Sequence, residues 1–298
     1  MKTLQEYLIA NYSNKSIYHY QSLIEKYRTY IGIKELESTT LDILNYIGFL
    51  RERKLSSKTI RNHLYSIKIY YSYLQQTGQR KDHPCKNLYL KDQINRAISL
   101  ESLYTMEQME QFLSEHRTKQ TFLQRRDEII ISLLIYQALS NTEIVNLQER
   151  DIHIEEGSIH IRAVENKAKN TNQSRTIRLH PKQILLIDRY TNLDRPGLLK
   201  SNSNPSNTDQ TVLLLTKYGK AIKSAAINRQ INHGHKKFMK MTPLKIRQSV
   251  IYHKLKEGHN VRVVQTFAGH RSILSTEAYQ TSRIEELKVG INKYHPLQ

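Results

Sequence analysis

The sequence predicts a mainly α-helical protein that carries a small β-sheet and folds as two domains. Its 298 residues exceed the usual size of a single domain. From Ser16 to Tyr30 apolar side chains recur at spacings of three and four, as in an amphipathic helix. They are Ile17, Tyr20, Leu23, Ile24 and Tyr27. Two short alternating runs, 158–162 and 175–179, predict strands.

Two further helices are predicted before residue 80. One lies near Thr40 to Lys54, and the next begins after the capping residues Ser56 and Ser57 and ends before Gly78. The apolar stripe of this last helix consists of Leu64, Ile67, Tyr71 and Leu74. Its other face carries Lys58, Arg61, Asn62, Tyr65 and Lys68. Cations, an amide and a phenol are groups that reach phosphates and base edges, so this face is predicted to bind DNA.

A polar connector follows, because periodicity fades between Gly78 and Ser99 and the stretch contains proline and mixed charges. The predicted domains are therefore 1–95, a helical DNA-binding domain with its linker, and 96–298, a mixed α/β domain. Cys85 lies in this connector, and as the only cysteine it excludes an internal disulfide.

The second domain is predicted to combine several helices with the two strands. Thr105 caps its first helix, and a strongly apolar helix follows from Asp127 to Leu139. A basic polar loop connects the two strands, and an apolar run spans Val212 to Leu215. The remainder is predicted to be helical, with breaks at Gly258 and Gly269.

Composition points to a polyanionic partner, and together with the basic helix face described above it leads us to expect double-stranded DNA. Lysine and arginine total 46 against 27 acidic residues, a net charge of +19. No apolar run is long enough for a membrane span and no secretory signal is recognisable, so a cytoplasmic protein without a membrane partner is expected, associated with the nucleoid when bound to DNA. The 13 histidines form no convincing ligand pattern, and we expect no metal site.

A specific combination of residues stands near the C-terminus. Arg247 follows Thr242-Pro243, the pair Gly269-His270 comes 23 residues after that arginine, and Tyr279 comes nine residues after the histidine. This pattern resembles the catalytic motif of the tyrosine recombinase (phage integrase) family, in particular its Xer-like site-specific recombinases. Upstream, Ala138-Leu139 with Glu143-Ile144 and Leu147 resembles the first catalytic box of the family, and the N-terminal helices resemble its SAM-like core-binding domain.

The resemblance implies a transesterification that needs neither metal nor nucleotide cofactor. Tyr279 would attack a DNA phosphate, giving a 3′-phosphotyrosyl link and a free 5′ hydroxyl. Arg247 would hold the charge that develops on the phosphoryl group, and His270 would donate a hydrogen bond to a non-bridging oxygen. A lysine in the loop between the strands would protonate the leaving oxygen. Lys167 is the favoured candidate and Lys169 the alternative.

Two positions depart from the family motif. Ser140 stands where the family has its first arginine, and Leu244 stands where its helical motif begins with histidine. The loss of one preorganised donor typically costs about 10²- to 10³-fold in rate. An arginine from elsewhere, such as Arg150 or Arg162, is a candidate replacement.

Three hypotheses follow from the sequence. The first is an active recombinase that works as a homo-tetramer on two paired sites, alone or with a related recombinase, with the apolar tail from Ser282 to Gln298 docking on a neighbouring subunit. The second is a catalytically impaired accessory protein that binds a DNA site while a complete relative cleaves. The third is a general basic protein that binds nucleic acid without sequence preference.

Overall fold

A computed structural model describes residues 3–92, 98–118, 120–163 and 173–280. They form two compact units, the first containing residues 3–92 and the second the remaining described residues. Both are largely helical and one contains a small sheet, which confirms the predicted fold class. The assignment of 1–95 to a DNA-binding domain and of 96–298 to a catalytic domain stays a prediction.

All the regular secondary structure described in the first unit is helical. Its helices are α1 (Leu4–Asn11), α2 (Asn14–Ile31), α3 (Thr40–Glu52) and α4 (Ser57–Gln76), with a 3₁₀ helix at Gly32–Leu36. The last three α-helices match the predicted ones. Helix α1 was not predicted; it is eight residues long and begins with a reciprocal capping box between Thr3 and Glu6.

Tyrosines fill much of this first core, and their hydroxyl groups are paired. The Tyr27 and Tyr71 hydroxyls lie 2.7 Å apart, and the Tyr71 hydroxyl donates to Ser38 Oγ at 2.8 Å. The Tyr46 hydroxyl is 3.0 Å from Nδ1 of His63. Because a buried hydroxyl is costly only when unpaired, these contacts make tyrosine acceptable in the core.

The connector predicted from Gly78 onward is instead packed on the first unit as far as residue 92. Cys85 is only 1% exposed. Arg61 Nη2, on α4, donates to the carbonyl oxygens of Leu90 and Asp92. Lys68 Nζ donates to the carbonyl oxygen of Lys86 at 3.0 Å. The predicted start of the linker was therefore wrong, because cations on α4 and a buried cysteine hold this polar segment in place.

The second unit mixes helices with a three-stranded sheet. Before the sheet lie α5 (Met106–Glu115), α6 (Gln124–Tyr136) and α7 (Asn141–Asn146). The strands are β1 (Ile152–His153), β2 (Ser158–Ile161) and β3 (Arg175–Arg178). After it come α8 (Pro181–Arg189), a π-helical turn (Tyr190–Asp194), α9 (Arg195–Lys200), α10 (Asn207–Thr211), α11 (Ser224–Ile231), α12 (Pro243–Lys256) and α13 (Val261–Ala268). Residues 274–280 are again helical.

The sheet is antiparallel with strand order β1-β2-β3, and Ile159 pairs with Ile177 across β2 and β3. Helix α6 lies at the centre of the core, since Ile129 to Ile135 are at most 2% exposed. The apolar run from Val212 to Leu215 makes only isolated bridges, one between Gln148 and Val212 and one between Leu215 and Ala221. Within the described ranges, no helix is both long and apolar enough to cross a membrane.

Candidate active site

Helix α12 brings Arg247 into the second unit's interior. The helix begins at Pro243, and the preceding Thr242 accepts a hydrogen bond from the backbone of Lys245 at 3.3 Å. One turn later the Arg247 side chain is 14% exposed. Its Nη2 donates to the carbonyl oxygen of Ala268 at 2.6 Å, and its Nη1 donates to that of Ala138. The guanidinium thus joins α12 to the end of α13 and to the loop before α7.

The Gly269-His270 turn ends α13 beside this arginine. Gly269 has a φ of +66°, the left-handed conformation that commonly ends a helix. His270 Nδ1 lies 2.9 Å from the hydroxyl of Thr276, which is fully buried. Burial, followed by the charges of Arg247 and Arg175, lowers the pKa of His270 to about 4. The imidazole is therefore neutral near pH 7, and when Thr276 donates to Nδ1 the ring proton resides on Nε2.

Tyr279 lies in the helical residues 274–280 and is 5% exposed. Burial raises the pKa of its hydroxyl to about 12, and the nearby charge of Arg247 acts in the opposite direction. The hydroxyl therefore keeps its proton at neutral pH. The charge of Arg247 acts on both Tyr279 and His270, although 32 residues of chain separate Arg247 from Tyr279.

Glu143 joins two arginines at this site. Its Oε1 is 2.6 Å from Arg175 Nη1, and its Oε2 is 3.4 Å from Arg247 Nη1. Burial alone would raise the pKa of this carboxyl, but Arg175 and then Arg247 lower it to about 2. Glu143 is therefore ionised in the folded chain at neutral pH. Burial of Arg247 lowers the pKa of its guanidinium, and the charge of Glu143 acts in the opposite direction.

Sequence reasoning missed Arg175. The residue begins β3, its side chain is 3% exposed, and its Nε donates to the carbonyl oxygen of Phe267 at 2.7 Å. A signal for it exists in the sequence, because strand alternation places Arg175 on the same face as Ile177 and Leu179. An arginine on an inward face requires a buried acidic partner, and Glu143 provides it.

The two positions that differ from the family motif, Ser140 and Leu244, supply no cation. Ser140 caps α7 in a reciprocal capping box, with its backbone N–H and its Oγ donating to Glu143 Oε2 at 2.8 and 2.7 Å. Leu244 lies in the first turn of α12 and is 66% exposed. Of the candidate replacements, Arg162 forms an ion pair with Asp151 at 2.8 Å, and Arg150 is exposed in a 3₁₀ helix.

The other predicted site residues lie elsewhere. Lys167 and Lys169 fall outside the described residues. On α4, Lys58, Asn62 and Tyr65 are exposed. Arg61 and Lys68, predicted on the same DNA-binding face, donate hydrogen bonds to the segment that ends at residue 92, and their contact with DNA stays a prediction. In the described part of the chain, no three histidine, cysteine, aspartate or glutamate side chains form a group that could hold a metal ion.

Glu143→Gln should lower the free energy of unfolding by about 3 kcal/mol at pH 7. The pKa of Glu143 is about 2 in the folded chain against an ordinary 4.5, so its stabilisation is present above pH 4.5 and disappears as the pH falls toward 2. Urea unfolding of both proteins between pH 7 and pH 2 measures this difference. The exposed Glu155, changed to glutamine, is the control and should alter stability by less than about 0.5 kcal/mol. The expectation would be contradicted if the difference in free energy of unfolding between the unaltered chain and Glu143→Gln did not decrease as the pH falls toward 2.

The fold and the site together define a class of protein. A tyrosine hydroxyl and an imidazole that is neutral near pH 7 both lie close enough to a forked guanidinium to respond to its charge, in a strongly basic chain of two units. This combination is suited to nucleophilic attack on a phosphodiester, because the cation and the imidazole N–H can hold the oxygens of the reacting phosphoryl group.

Comparison with known proteins agrees with this class. The model of the phage integrase family matches residues 103–286, well over half of the chain. The chain therefore belongs to the phage integrase family. Among similar curated proteins, tyrosine recombinase XerD of Rickettsia bellii (strain RML369-C) is 24% identical over 295 residues, covering 96% of this chain and 93% of the relative. XerD of Listeria innocua serovar 6a is 26% identical over 290 residues, covering 95% and 90%.

Solved structures share the fold at lower sequence identity. The integrase of transposon Tn1549 in complex with transposon right end DNA has a TM-score of 0.64 and 18% identity, covering 96% of this chain and 99% of that one. The XerH site-specific recombinase bound to a palindromic difH substrate, in a post-cleavage complex, has a TM-score of 0.67 and 19% identity, covering 92% and 79%.

Proposed function

We propose that this chain carries out site-specific DNA recombination, breaking and rejoining strands through a covalent 3′-phosphotyrosyl link at Tyr279. The observation that carries the proposal is that Tyr279 is buried in the core of the second unit and that Tyr279 and His270 both lie close enough to Arg247 to respond to its charge. Family membership supports it, as do curated relatives that are tyrosine recombinases.

In the proposed reaction Tyr279 gives up its proton to solvent water, and its oxygen forms a bond to the phosphorus. The bond from phosphorus to the 5′ oxygen breaks, and that oxygen takes up a proton. We assign this proton to the loop lysine, Lys167 or else Lys169, as the resemblance to the family implies. The number of phosphoester bonds is unchanged, so the step reverses when a 5′ hydroxyl attacks the phosphotyrosine.

The described side chains have two tasks in this step. Arg247 holds non-bridging oxygens of the phosphate, and its charge favours the phenolate of Tyr279 by opposing the effect of burial on that pKa. His270 donates from Nε2 while its Nδ1 is held by Thr276. Because the histidine is already neutral and oriented, it needs no change of protonation to donate.

Double-stranded DNA is the partner that the charge and the fold favour. The net charge is +19, and solved relatives of the same fold are complexes with DNA. We assign a share of the contact to the exposed Lys58, Asn62 and Tyr65 of α4. The active assembly would be a homo-tetramer on two paired sites, alone or with a related recombinase, and the tail from Ser282 to Gln298, outside the described residues, would dock on a neighbour.

Tyr279→Phe should abolish a covalent protein–DNA adduct that the unaltered chain forms. A binding site is first selected from random-sequence duplex DNA. Versions of this site are then prepared with a nick at successive positions. Cleavage close to a nick releases a short fragment, so the strand cannot be rejoined and the adduct persists. The adduct is then detected as a band of reduced mobility on a denaturing gel. Phenylalanine lacks the attacking oxygen but fills nearly the same volume, so DNA binding should remain.

Tyr218→Phe is the matched control, because Tyr218 is 63% exposed and belongs to the same unit. It should form the adduct as the unaltered chain does. An adduct that persists in Tyr279→Phe would remove Tyr279 from the nucleophile's role. Specific binding without any adduct in the unaltered chain would instead indicate the accessory protein, and binding without sequence preference would indicate the general nucleic-acid-binding protein.

A further inference from the structure

The carboxylate of Glu143 lies between the guanidinium groups of Arg175 and Arg247. The net charge of these three groups determines how strongly the site attracts a phosphate. Arg175 and Arg247 carry one positive charge each and Glu143 one negative charge, a net charge of +1 within this contacting trio. His270 and Tyr279 beside it are neutral near pH 7, since their pKa values are about 4 and about 12. A DNA phosphate that enters the pocket brings one negative charge.

The contacts of Glu143 with the two arginines are unequal. Oε1 is 2.6 Å from Arg175, the distance of a short, charge-assisted hydrogen bond. Oε2 accepts from the backbone N–H and from the hydroxyl of Ser140 at 2.8 and 2.7 Å. Arg247 is 3.4 Å from Oε2, longer than an ordinary hydrogen bond. Of these contacts of the carboxylate, those with Arg175 and Ser140 are shorter than the one with Arg247.

Arg175 itself is placed to act indirectly. Its side chain is 3% exposed, its Nε is bonded to the carbonyl oxygen of Phe267, and Gly269 packs against its guanidinium. Arg247 has the more accessible side chain, at 14% exposed. The two arginines therefore have different surroundings, one enclosed beneath the Gly269 turn and the other partly open.

We infer that Arg175 is a positioning residue that neutralises Glu143, so that the positive charge of Arg247 remains available to the scissile phosphate. The inference rests on the proposed function and extends it to a residue outside the recognised motif. Without Arg175, the buried carboxylate would offset the charge of Arg247, and Ser140 supplies no second cation. In a pocket of low polarity such an offset strongly weakens attraction for an anion.

The test measures how strongly the protein senses the charge of single phosphates, independently of cleavage. All variants carry Tyr279→Phe, and the DNA is the selected site in which each phosphate near the centre is replaced in turn by an uncharged methylphosphonate. For each position, the dissociation constant of the methylphosphonate DNA is divided by that of the natural DNA, and both are measured on one protein preparation. An inactive fraction of the protein affects both constants alike, so partial unfolding does not alter the ratio.

The reference protein should bind the natural phosphate about tenfold more tightly than the methylphosphonate at one position. Adding Arg175→Met should reduce this ratio to about one, because Glu143 then offsets Arg247. Adding Arg175→Met together with Glu143→Gln should restore it to about tenfold, because the opposing carboxylate is gone. The double change also removes the unpaired buried charge that could unfold the single variant. Arg175→Lys, which keeps the charge, should retain the ratio.

Three results would overturn the inference: a ratio near one at every position in the reference protein, an unchanged ratio in Arg175→Met, or a ratio that stays near one in the double variant. The last result would mean that Arg175 supports the phosphate site by packing or direct contact rather than by charge. Loss of the proposed function is recognised separately, by the absence of the Tyr279 adduct. An absent adduct with the predicted ratios would reject cleavage and support the phosphate site.

Discussion

Replacement of Arg247 by lysine is expected to slow strand cleavage by about 10²- to 10³-fold while changing DNA affinity by less than about threefold. The guanidinium spans two carbonyl oxygens, those of Ala138 and Ala268, and lies 3.4 Å from Glu143. A lysine ammonium is a single point charge that cannot keep this forked geometry. Single-turnover cleavage of the nicked substrate and equilibrium binding, measured on the same DNA, separate the two effects.

Arg189→Lys is the matched control, since Arg189 is exposed in the last turn of α8 and the change also conserves charge. Its cleavage rate should equal that of the unaltered chain. If Arg247→Lys cleaved at the normal rate, the fork geometry of Arg247 would have no role in the reaction. If affinity and cleavage fell by the same factor, Arg247 would contribute to binding the DNA rather than to the reacting phosphoryl group.

Gly269→Ala is expected to lower the free energy of unfolding by about 3 kcal/mol and to reduce cleavage with it. Gly269 has a φ of +66°, and an added Cβ would overlap the Arg175 guanidinium, lying 2.7 Å from its Cζ. That guanidinium is held by Glu143 and by the carbonyl oxygen of Phe267, so its retreat would break a buried ion pair. Urea unfolding at neutral pH measures the loss.

Gly258→Ala separates backbone strain from this steric conflict. Gly258 also has a positive φ, +89°, but an added Cβ would have no heavy atom within 4 Å. The control should therefore cost only about 1 kcal/mol, the strain of the left-handed conformation. An equal loss at both glycines would mean that Arg175 moves aside without penalty, and the rigid support assigned to it would be wrong.

Local sequence patterns predicted most of the helices. The apolar spacing from Ser16 to Tyr30 matches α2, and Thr105 caps α5 with a hydrogen bond from the backbone of Gln108 at 3.2 Å. Such patterns work because the spacing of three and four, and the cap, depend on neighbours within one turn of chain. Helix α1 was missed because only Leu8 is buried on it, so its apolar pattern is weak.

Longer-range contacts account for what the sequence did not predict. The polar composition after Gly78 indicated a linker, but Arg61 and Lys68 hold the carbonyl oxygens of residues 86 to 92. A polar segment is expected to be exposed unless other groups satisfy its hydrogen bonds. Here the donors, Arg61 and Lys68, lie 18 to 31 positions away along the chain from the carbonyl oxygens that they hold. For the same reason the sequence could not show that Arg61 and Lys68 hold this segment.

The sequence by itself determined the fold class, the family and the spacing of Arg247, His270 and Tyr279, because these follow from local periodicity and from a motif in one stretch of chain. Only the tertiary structure decided the charge balance of the pocket. Glu143 and Arg175 are 32 residues apart and meet because α7 and β3 belong to one core. An ion pair of this kind depends on distances of a few ångströms between separate elements, and no pattern along the chain encodes those distances.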